Sequence, residues 1–508
     1  MRQKFPTSDE GTGGAAVPQT AACPDVVEAV EAARTTCPAP ATSTDRDQFS
    51  NPWASLWYEG LRDQALPAVI ADETITPAAS LWTGARLWSR AFRAANLRSG
   101  DRLVIAVPPS ATFVQILVAA IWEGYTIALV SPSANVPALL ETLDARAAVT
   151  DRKHPHVWRP EGFAGPRTTP DALRSANEPS YPNVRFLLRT SGTTGQARWV
   201  ALSDRNVLSV LASHLPHARL GNARVISVLP WWHAFGLVLD LLPALLSGAE
   251  IIRDPEGGRS PRSILALSRA WGATHLNAVP LTVQRLLDRS DGRSFLKQLR
   301  GGIVGGAPIS APLAEALQDT HLRVGYGQTE ASPGIMLGEP GAWHANYLGH
   351  PVGCDVAVSD AGELLFEGPN ACVGFWQDGH FHPADPHRTV ATGDRVRRTE
   401  DGFFFEGRTD TAFKLSNGRL VPAGTWEARL KSRFPALHDA LLYTPNGTDL
   451  HLAICAQPDA APDEETLRTA LDGLGRRVDC IEPFPPDAWM QSPKGDVDRA
   501  AMVDRLSA

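Results

Sequence analysis

The sequence predicts an α/β protein: a large N-terminal body of mixed and parallel sheets with flanking helices and a β-rich subdomain, followed by a small α+β C-terminal domain. Three observations lead there. Apolar runs of strand length alternate with runs of helix length from about residue 55 onward, the rhythm of parallel strands joined by crossover helices. Near residue 347 the texture changes to short strands punctuated by Gly and Asp. At 508 residues the chain exceeds what one hydrophobic core usually serves, so two or more domains are expected.

Taken in order, "DRLVIAV" reads as a buried strand, "ATFVQILVAAIWEG" as an apolar helix ended by Gly124, "TIALVS" as a strand, "VPALLETLDAR" as a helix and "AAVTD" as a strand. The rhythm returns with the strand "RVISVLP", the helix "GLVLDLLPALLSG", the strand "AEIIRD" and the helix "PRSILALSRAWG". It continues through "THLNAVP", "TVQRLLDRS", "LRGGIVGG" and "APLAEALQDT". Beyond residue 347, "GELLFEG", "GFFFEGR" and "TAFKLSNGRLV" predict an antiparallel or barrel-like region, and the last hundred residues mix helix and strand again. Residues 1 to about 48 are rich in Ala, Thr, Pro, Gly and Asp and are expected to be a disordered tail, with one short helix at "VVEAVEAA".

A formal charge of −7 describes an ordinary surface and suggests neither nucleic acid nor an anionic membrane as partner. The six cysteines (Cys23, Cys37, Cys354, Cys372, Cys455, Cys480) show no CxxC and no regular spacing, which argues against a disulfide framework or a zinc site. The N-terminus lacks the apolar core of a secretory signal, and the richest apolar stretches are short or interrupted by Glu123, His233 and Asp240. A reduced, cytosolic chain is the expectation.

Chemistry concentrates first in "LLRTSGTTG", residues 187–195. A strand that ends in Gly, Ser and Thr aims bare backbone N–H groups and hydroxyl donors at one point, which is how proteins hold phosphate oxygens. It is not the common nucleotide loop, because no GxxxxGK[ST] occurs and the chain continues Gln196-Ala197-Arg198. By itself the run also fits a flexible surface loop. No GxSxG elbow accompanies it, so a hydrolase is not indicated.

The wider stretch "RTSGTTGQARWVALSDRNV" resembles the phosphate-binding signature of the adenylate-forming superfamily, which includes acyl- and aryl-CoA ligases, peptide-synthetase adenylation domains and luciferases. The superfamily's order is kept by "LPWWHAFGL" (229–237), "GGAP" (305–308), "YGQTE" (326–330), "ATGDRVRRTEDGFFFEGRTDTAFKLSNGRLVP" (391–422) and "SPKGDVDRAAM" (492–502). The resemblance implies a ligase that uses ATP and Mg²⁺ to activate a carboxylic acid, aryl or medium acyl, as its acyl-AMP. Pyrophosphate leaves, and the acyl group passes to CoA or a carrier-protein thiol.

It also implies roles. Thr190, Ser191, Gly192, Thr193, Thr194 and Gly195 would hold the β- and γ-phosphates; Thr329 would meet the α-phosphate; Glu330 and Thr193 would hold Mg²⁺, a hard cation suited to oxygen ligands. Adenine would lie between Gly306-Ala307-Pro308 and Tyr326, followed by Gly327 and Gln328. Asp394 would accept from the ribose hydroxyls, with Arg408 as a nearby cationic donor. His233 would be the gate between acid and nucleophile tunnels, or else a packed core residue; Trp231, Trp232 and Phe235 would shape an acid cavity or fill core. Asp410 would be the hinge, giving a body over 49–409 and a mobile domain over 410–508 whose closure completes each site. Lys414 is either a residue of the thioester-forming state or a solvated lysine.

Two departures stand out. Where the superfamily continues its phosphate loop with Pro-Lys-Gly and a following Thr-His, this chain has Ala197-Arg198-Trp199 and Ser203-Asp204, so a planar fork replaces a point cation. Where the closing motif carries Gly-Lys, this chain reads Gly495-Asp496. Loss of such a cation costs on the order of 10²–10³ in rate, about 3 to 4 kcal/mol. Lys494, Arg198 and Arg499 are the candidates to supply it. The changed lysine positions keep two other readings open: an ATP-dependent diazotase that activates nitrite for an aryl amine, and a noncatalytic nucleotide-binding protein.

Overall fold

The computed structural model describes residues 53, 69–71, 74–151, 184–190, 198–385, 387–409, 411–416, 420–446, 448–457, 461–472, 477–491 and 497–507. The tail with its "VVEAVEAA" helix lies outside these residues, as do Ser191, Gly192, Thr193, Thr194, Gly195, Asp410 and Lys494. The rest is an α/β structure of mixed and parallel sheets with flanking helices, as expected from the alternating pattern.

Among the described residues, one seven-stranded sheet runs His380–Pro383, Gly374–Gln377, Arg198–Leu202, Phe186–Thr190, Thr126–Leu129, Arg102–Ala106 and Ala147–Thr150. Its last four strands pair in parallel, and the first three are antiparallel additions. Helix Ala111–Trp122, which crosses between two of the parallel strands, buries residues all round its surface, including Phe113, Val114, Ile116, Leu117 and Ile121. An all-apolar helix is stable only when covered on every side. Ser110 caps it by accepting from Phe113 N, and Gly124, at φ +80°, ends it where a side chain would strike Ser99. Truncating Leu117 to Ala would cost about 2–5 kcal/mol.

A second sheet orders His275–Asn277, Arg224–Ser227, Glu250–Arg253, Val69–Ala71 and Thr74–Thr76, parallel but for its last strand. The third, eight-stranded, begins with the parallel pair Ile303–Gly305 and Arg323–Tyr326 and continues antiparallel through Met336–Leu337, Tyr347–Pro351, Gly402–Arg408, Val390–Thr399, Glu363–Glu367 and Asp355–Val358. This is the β-rich region announced by the change of texture near residue 347. Toward the C-terminus, the hairpin Ala412–Lys414 and Leu420–Pro422 precedes a three-stranded sheet, Leu437–Tyr443, His451–Ala456 and Cys480–Phe484. That sheet packs on helices around a separate core that includes Trp426, Leu430, Leu442, Leu452 and Leu467.

One element departs from expectation. "GLVLDLLPALLSG" is not a single α-helix: Phe235–Leu241 is a π-helix that passes into the α-helix Leu242–Leu246. Such π segments are uncommon and recur at functional sites. No helix among the described residues is long and apolar enough to cross a membrane.

Candidate functional site

Sheet geometry brings the motifs together. The parallel strands Ile303–Gly305 and Arg323–Tyr326 are in register, Gly305 beside Gly325, and deliver "GGAP" and "YGQTE" side by side at their carboxyl ends, where ligands of open α/β sheets bind. Glycine is required at this edge. A methyl on Gly305 would stand 2.2 Å from the carbonyl oxygen of Gly325, and one on Gly327 would stand 1.4 Å from that of Pro333. Gly306, at φ +89°, turns the chain into Ala307-Pro308.

From this edge the half-buried Tyr326 donates its hydroxyl to Asp394 Oδ2 at 2.6 Å. Arg408 Nη1 donates to Asp394 Oδ1 at 2.9 Å. Asp394 itself is fixed by register opposite Arg408, and its backbone N–H donates to Thr392 Oγ1. Gly393 must be glycine: its φ is +76°, and a methyl there would lie 2.9 Å from Arg408 Nη2. Burial and the neighbouring Asp394 charge hold the Tyr326 phenol well above its ordinary range, so it remains a neutral donor. Three residues the sequence placed around adenine and ribose thus form one bonded unit.

The second cluster joins two sheets. Thr190 and Arg198 face each other at the end of the antiparallel pair Phe186–Thr190 and Arg198–Leu202, with Thr190 Oγ1 donating to the Arg198 carbonyl at 3.4 Å. The strand Gly374–Gln377 adds to the same edge and sets Phe375 under the Arg198 guanidinium, 4.4 Å from ring centroid to Cζ. Just before it, Cys372 N donates to the Glu330 carbonyl, drawing the short helical turn Thr329–Ala331 against the sheet. Arg198 Nη2 therefore reaches Glu330 Oε1 at 3.0 Å. The pair is partly exposed, so it adds at most about 1 kcal/mol to stability.

The departure at Ser203-Asp204 has a structural reason. Ser203 and Asn206 form a capping box at the start of helix Asp204–Ala218, and Asp204 accepts from Arg185 at 2.7 and 2.9 Å. Arg499, a candidate for the missing cation, is committed elsewhere: it grips Glu427 at 2.6 and 2.9 Å and donates to the Leu442 carbonyl. It is a structural cation of the C-terminal core. Lys414 lies on the strand Ala412–Lys414.

His233 is exposed, at the entry to the π-helix, where the chain turns so tightly that a methyl on Gly236 would sit 2.2 Å from the Pro230 carbonyl oxygen. Trp231 belongs to the core: fully buried, it packs on Phe113 and donates Nε1 to Ser227 Oγ at 2.9 Å. Trp232 and Phe235 are half-buried.

Sequence reasoning missed a buried polar network behind this turn. Ser227 Oγ donates to Asp240 Oδ2 at 2.5 Å, Asn277 Nδ2 donates to Asp240 Oδ1 at 3.0 Å, and Arg253 Nη1 donates to the Ser227 and Leu229 carbonyls. Burial pushes the Asp240 carboxyl up to about 6. Asp240, Asn277, His214, His275 and Arg323 line a cavity of about 20 Å³, room for about one water. His214 Nδ1 lies 3.1 Å from the Val210 carbonyl oxygen, and burial lowers its pKa to about 4, so it is neutral at pH 7. The one sequence signal was the acidic residue interrupting "GLVLDLL".

Comparison with known proteins agrees with these motifs. Residues 62–376 match the family model described as AMP-binding enzyme. A feruloyl-CoA synthase from Amycolatopsis is 29% identical over 438 residues, 79% of this chain and 84% of that protein. A long-chain-fatty-acid–CoA ligase from Yersinia pestis is 30% identical over 250 residues, 44% of this chain and 43% of that protein. The crystal structure of ATP-bound MatB from Rhodopseudomonas palustris superposes with a TM-score of 0.73 at 19% identity, over 89% of this chain and 99% of that one. The chain belongs to the AMP-binding enzyme family of the adenylate-forming superfamily and is an AMP-forming ligase similar to acyl- and aryl-CoA ligases.

Proposed function

We propose that the protein condenses a carboxylic acid, most readily an aryl acid, with ATP to give an acyl-AMP and pyrophosphate, and then passes the acyl group to the thiol of CoA. The observation that carries this reading is the bonded unit Tyr326–Asp394–Arg408, joined through residues 326–330 to the Arg198–Glu330 pair. Four steps of chain span at most about 14 Å, so a ribose-binding carboxylate and a phosphate-facing cation and anion share one edge. The feruloyl-CoA synthase relative supports an aryl acid and CoA.

In the first half-reaction a carboxylate oxygen of the acid bonds to the α-phosphorus while the bond from that phosphorus to the bridging oxygen breaks and pyrophosphate leaves. In the second, the CoA sulfur, having lost its proton, bonds to the acyl carbon and AMP departs with the electron pair. The chain's residues supply orientation and charge. Asp394 accepts from the ribose hydroxyls, steadied by Tyr326 and Arg408. Thr190 and the hydroxyls and amides of Ser191, Gly192, Thr193, Thr194 and Gly195 hold the β- and γ-phosphates, and Thr329 meets the α-phosphate. Arg198 turns its fork from Glu330 to the phosphates, giving bidentate neutralisation where a lysine would give a point charge. Lys494 supplies the cation that Asp496 cannot.

The donor chemistry at Glu330 fits Mg²⁺: once Arg198 turns from its Oε1 to the phosphates, the carboxylate is a hard oxygen ligand of the kind Mg²⁺ takes. Glu330, with Thr193, would hold the ion, which neutralises phosphate charge when bound. Adenine lies against Gly306-Ala307-Pro308 and Tyr326, with Gly327 and Gln328 closing the edge. His233, exposed at the turn into the π-helix, stands at the entry to the acid site. Asp410 is the hinge between a body of residues 49–409 and a mobile domain of residues 410–508.

A pyrophosphate-release screen tests this. Release driven by an aryl or acyl acid, with thioester formed only when CoA is present, is the expected result. Release that needs nitrite together with an aryl amine, or ATP binding without release for any acid, contradicts it.

A further inference from the structure

The three-stranded sheet near the C-terminus carries a cluster unrelated to the nucleotide residues. Tyr443 is the direct partner of His451 across one strand pair, and His451 is the direct partner of Cys480 across the next. Register therefore lines up three side chains on one face, and Glu482, two residues beyond Cys480, points to the same face. That face is covered further along by Trp489 and Met502, leaving the cluster at its rim.

The donor atoms converge. His451 Nδ1 lies 3.7 Å from Glu482 Oε1, and Cys480 Sγ lies 3.5 Å from the same oxygen. All three donor atoms fall within 4.8 Å of one another. Zinc bonds of about 2.0–2.3 Å in a tetrahedron place neighbouring donors about 3.3–3.7 Å apart. Two edges of this triangle already match. Tyr443 Oη, 3.4 Å from both His451 Nδ1 and Glu482 Oε1, sits over the His451–Glu482 edge.

We propose that His451, Cys480 and Glu482 bind one Zn²⁺ ion, with Tyr443 or a water at the fourth position. Charge and softness select the ion: a thiolate and a carboxylate cancel its two positive charges, and sulfur with imidazole nitrogen favours zinc over magnesium or calcium. His451 and Glu482 keep side-chain exposures of 22% and 38%, so an ion reaches them from solvent. Bound there, it ties the edge strand Cys480–Phe484 to the central strand His451–Ala456. The spacing of the six cysteines gave no hint of this, because the ligands come from two strands and three residue types.

The test uses the full-length protein, stripped with a chelator and titrated with Co²⁺, whose thiolate charge-transfer absorption reports a cysteine ligand. One equivalent of Co²⁺, displaced by Zn²⁺, is expected. The band should vanish in Cys480→Ser, and His451→Ala and Glu482→Gln should weaken binding on the order of 100-fold, with circular dichroism unchanged. Absence of the band in the wild type, or its persistence in Cys480→Ser, overturns the proposal. If Cys480→Ser fails to fold, an unchanged Co²⁺ affinity in Glu482→Gln overturns it instead.

Discussion

Tyr326→Phe removes one oxygen and tests the unit on which the nucleotide reading rests. The lost hydrogen bond is 2.6 Å long and ends on Asp394, whose side chain is only 10% exposed. A bond to a charged acceptor contributes about 1.5–3 kcal/mol. Arg408 stays on the other oxygen at 2.9 Å, so Asp394 is not orphaned. That puts the loss at the lower end, about 1.5 kcal/mol, or roughly tenfold in a dissociation constant. Calorimetry with ATP and Mg²⁺ should show Kd raised about tenfold, while the pyrophosphate rate at saturating ATP changes little, since the ribose is remote from the reacting phosphorus. The effect should not vary with pH in the neutral range, because the phenol is held well above its usual range. An unchanged Kd in a variant that is merely less heat-stable would refute the reasoning.

Arg198→Ala should barely move the melting temperature, because its ion pair is partly exposed, but should slow pyrophosphate formation on the order of 10²–10³-fold; equal rates in stopped-flow assays would remove Arg198 from the phosphate site. The buried titrating groups predict opposing pH effects on stability. Burial lowers His214 and His275 to about 4, so their contribution is present at pH 7 and lost as pH falls from 6.5 toward 4, roughly 3 kcal/mol each. Asp240, raised to about 6, works the other way, lending stability below its unfolded value of 3.8 and losing it as pH rises to 6. Asp240→Asn should therefore steepen the loss of stability between pH 6 and 4 in denaturant titrations; an unchanged slope contradicts the assignment.

Much of the fold was legible because its signals are local. Strand and helix lengths, and Gly124 as a helix stop, lie within a few residues of what they control. The π-helix was not legible, since one extra residue per turn leaves "GLVLDLL" as apolar as any buried helix. Of the site, residue types were readable but their pairings were not. Tyr326 and Asp394 are 68 residues apart, and Arg198 and Glu330 are 132 apart, joined by tertiary packing of the sheets and, for Glu330, by a backbone bond from Cys372. Asp240 read as a blemish in an apolar run because Ser227 and Asn277, its donors, arrive on two strands distant in sequence from its π-helix. Arg499 looked like spare charge for the same reason: Glu427, its partner, is 72 residues away.

The most direct measurement is a crystal structure with a non-hydrolysable ATP analogue and Mg²⁺. The account predicts ribose hydroxyls on Asp394, adenine against Gly306 and Tyr326, and phosphates between Thr190 and Glu330 with Arg198 turned toward them. A nucleotide bound away from Asp394, or phosphates directed away from the Arg198 edge, would contradict it.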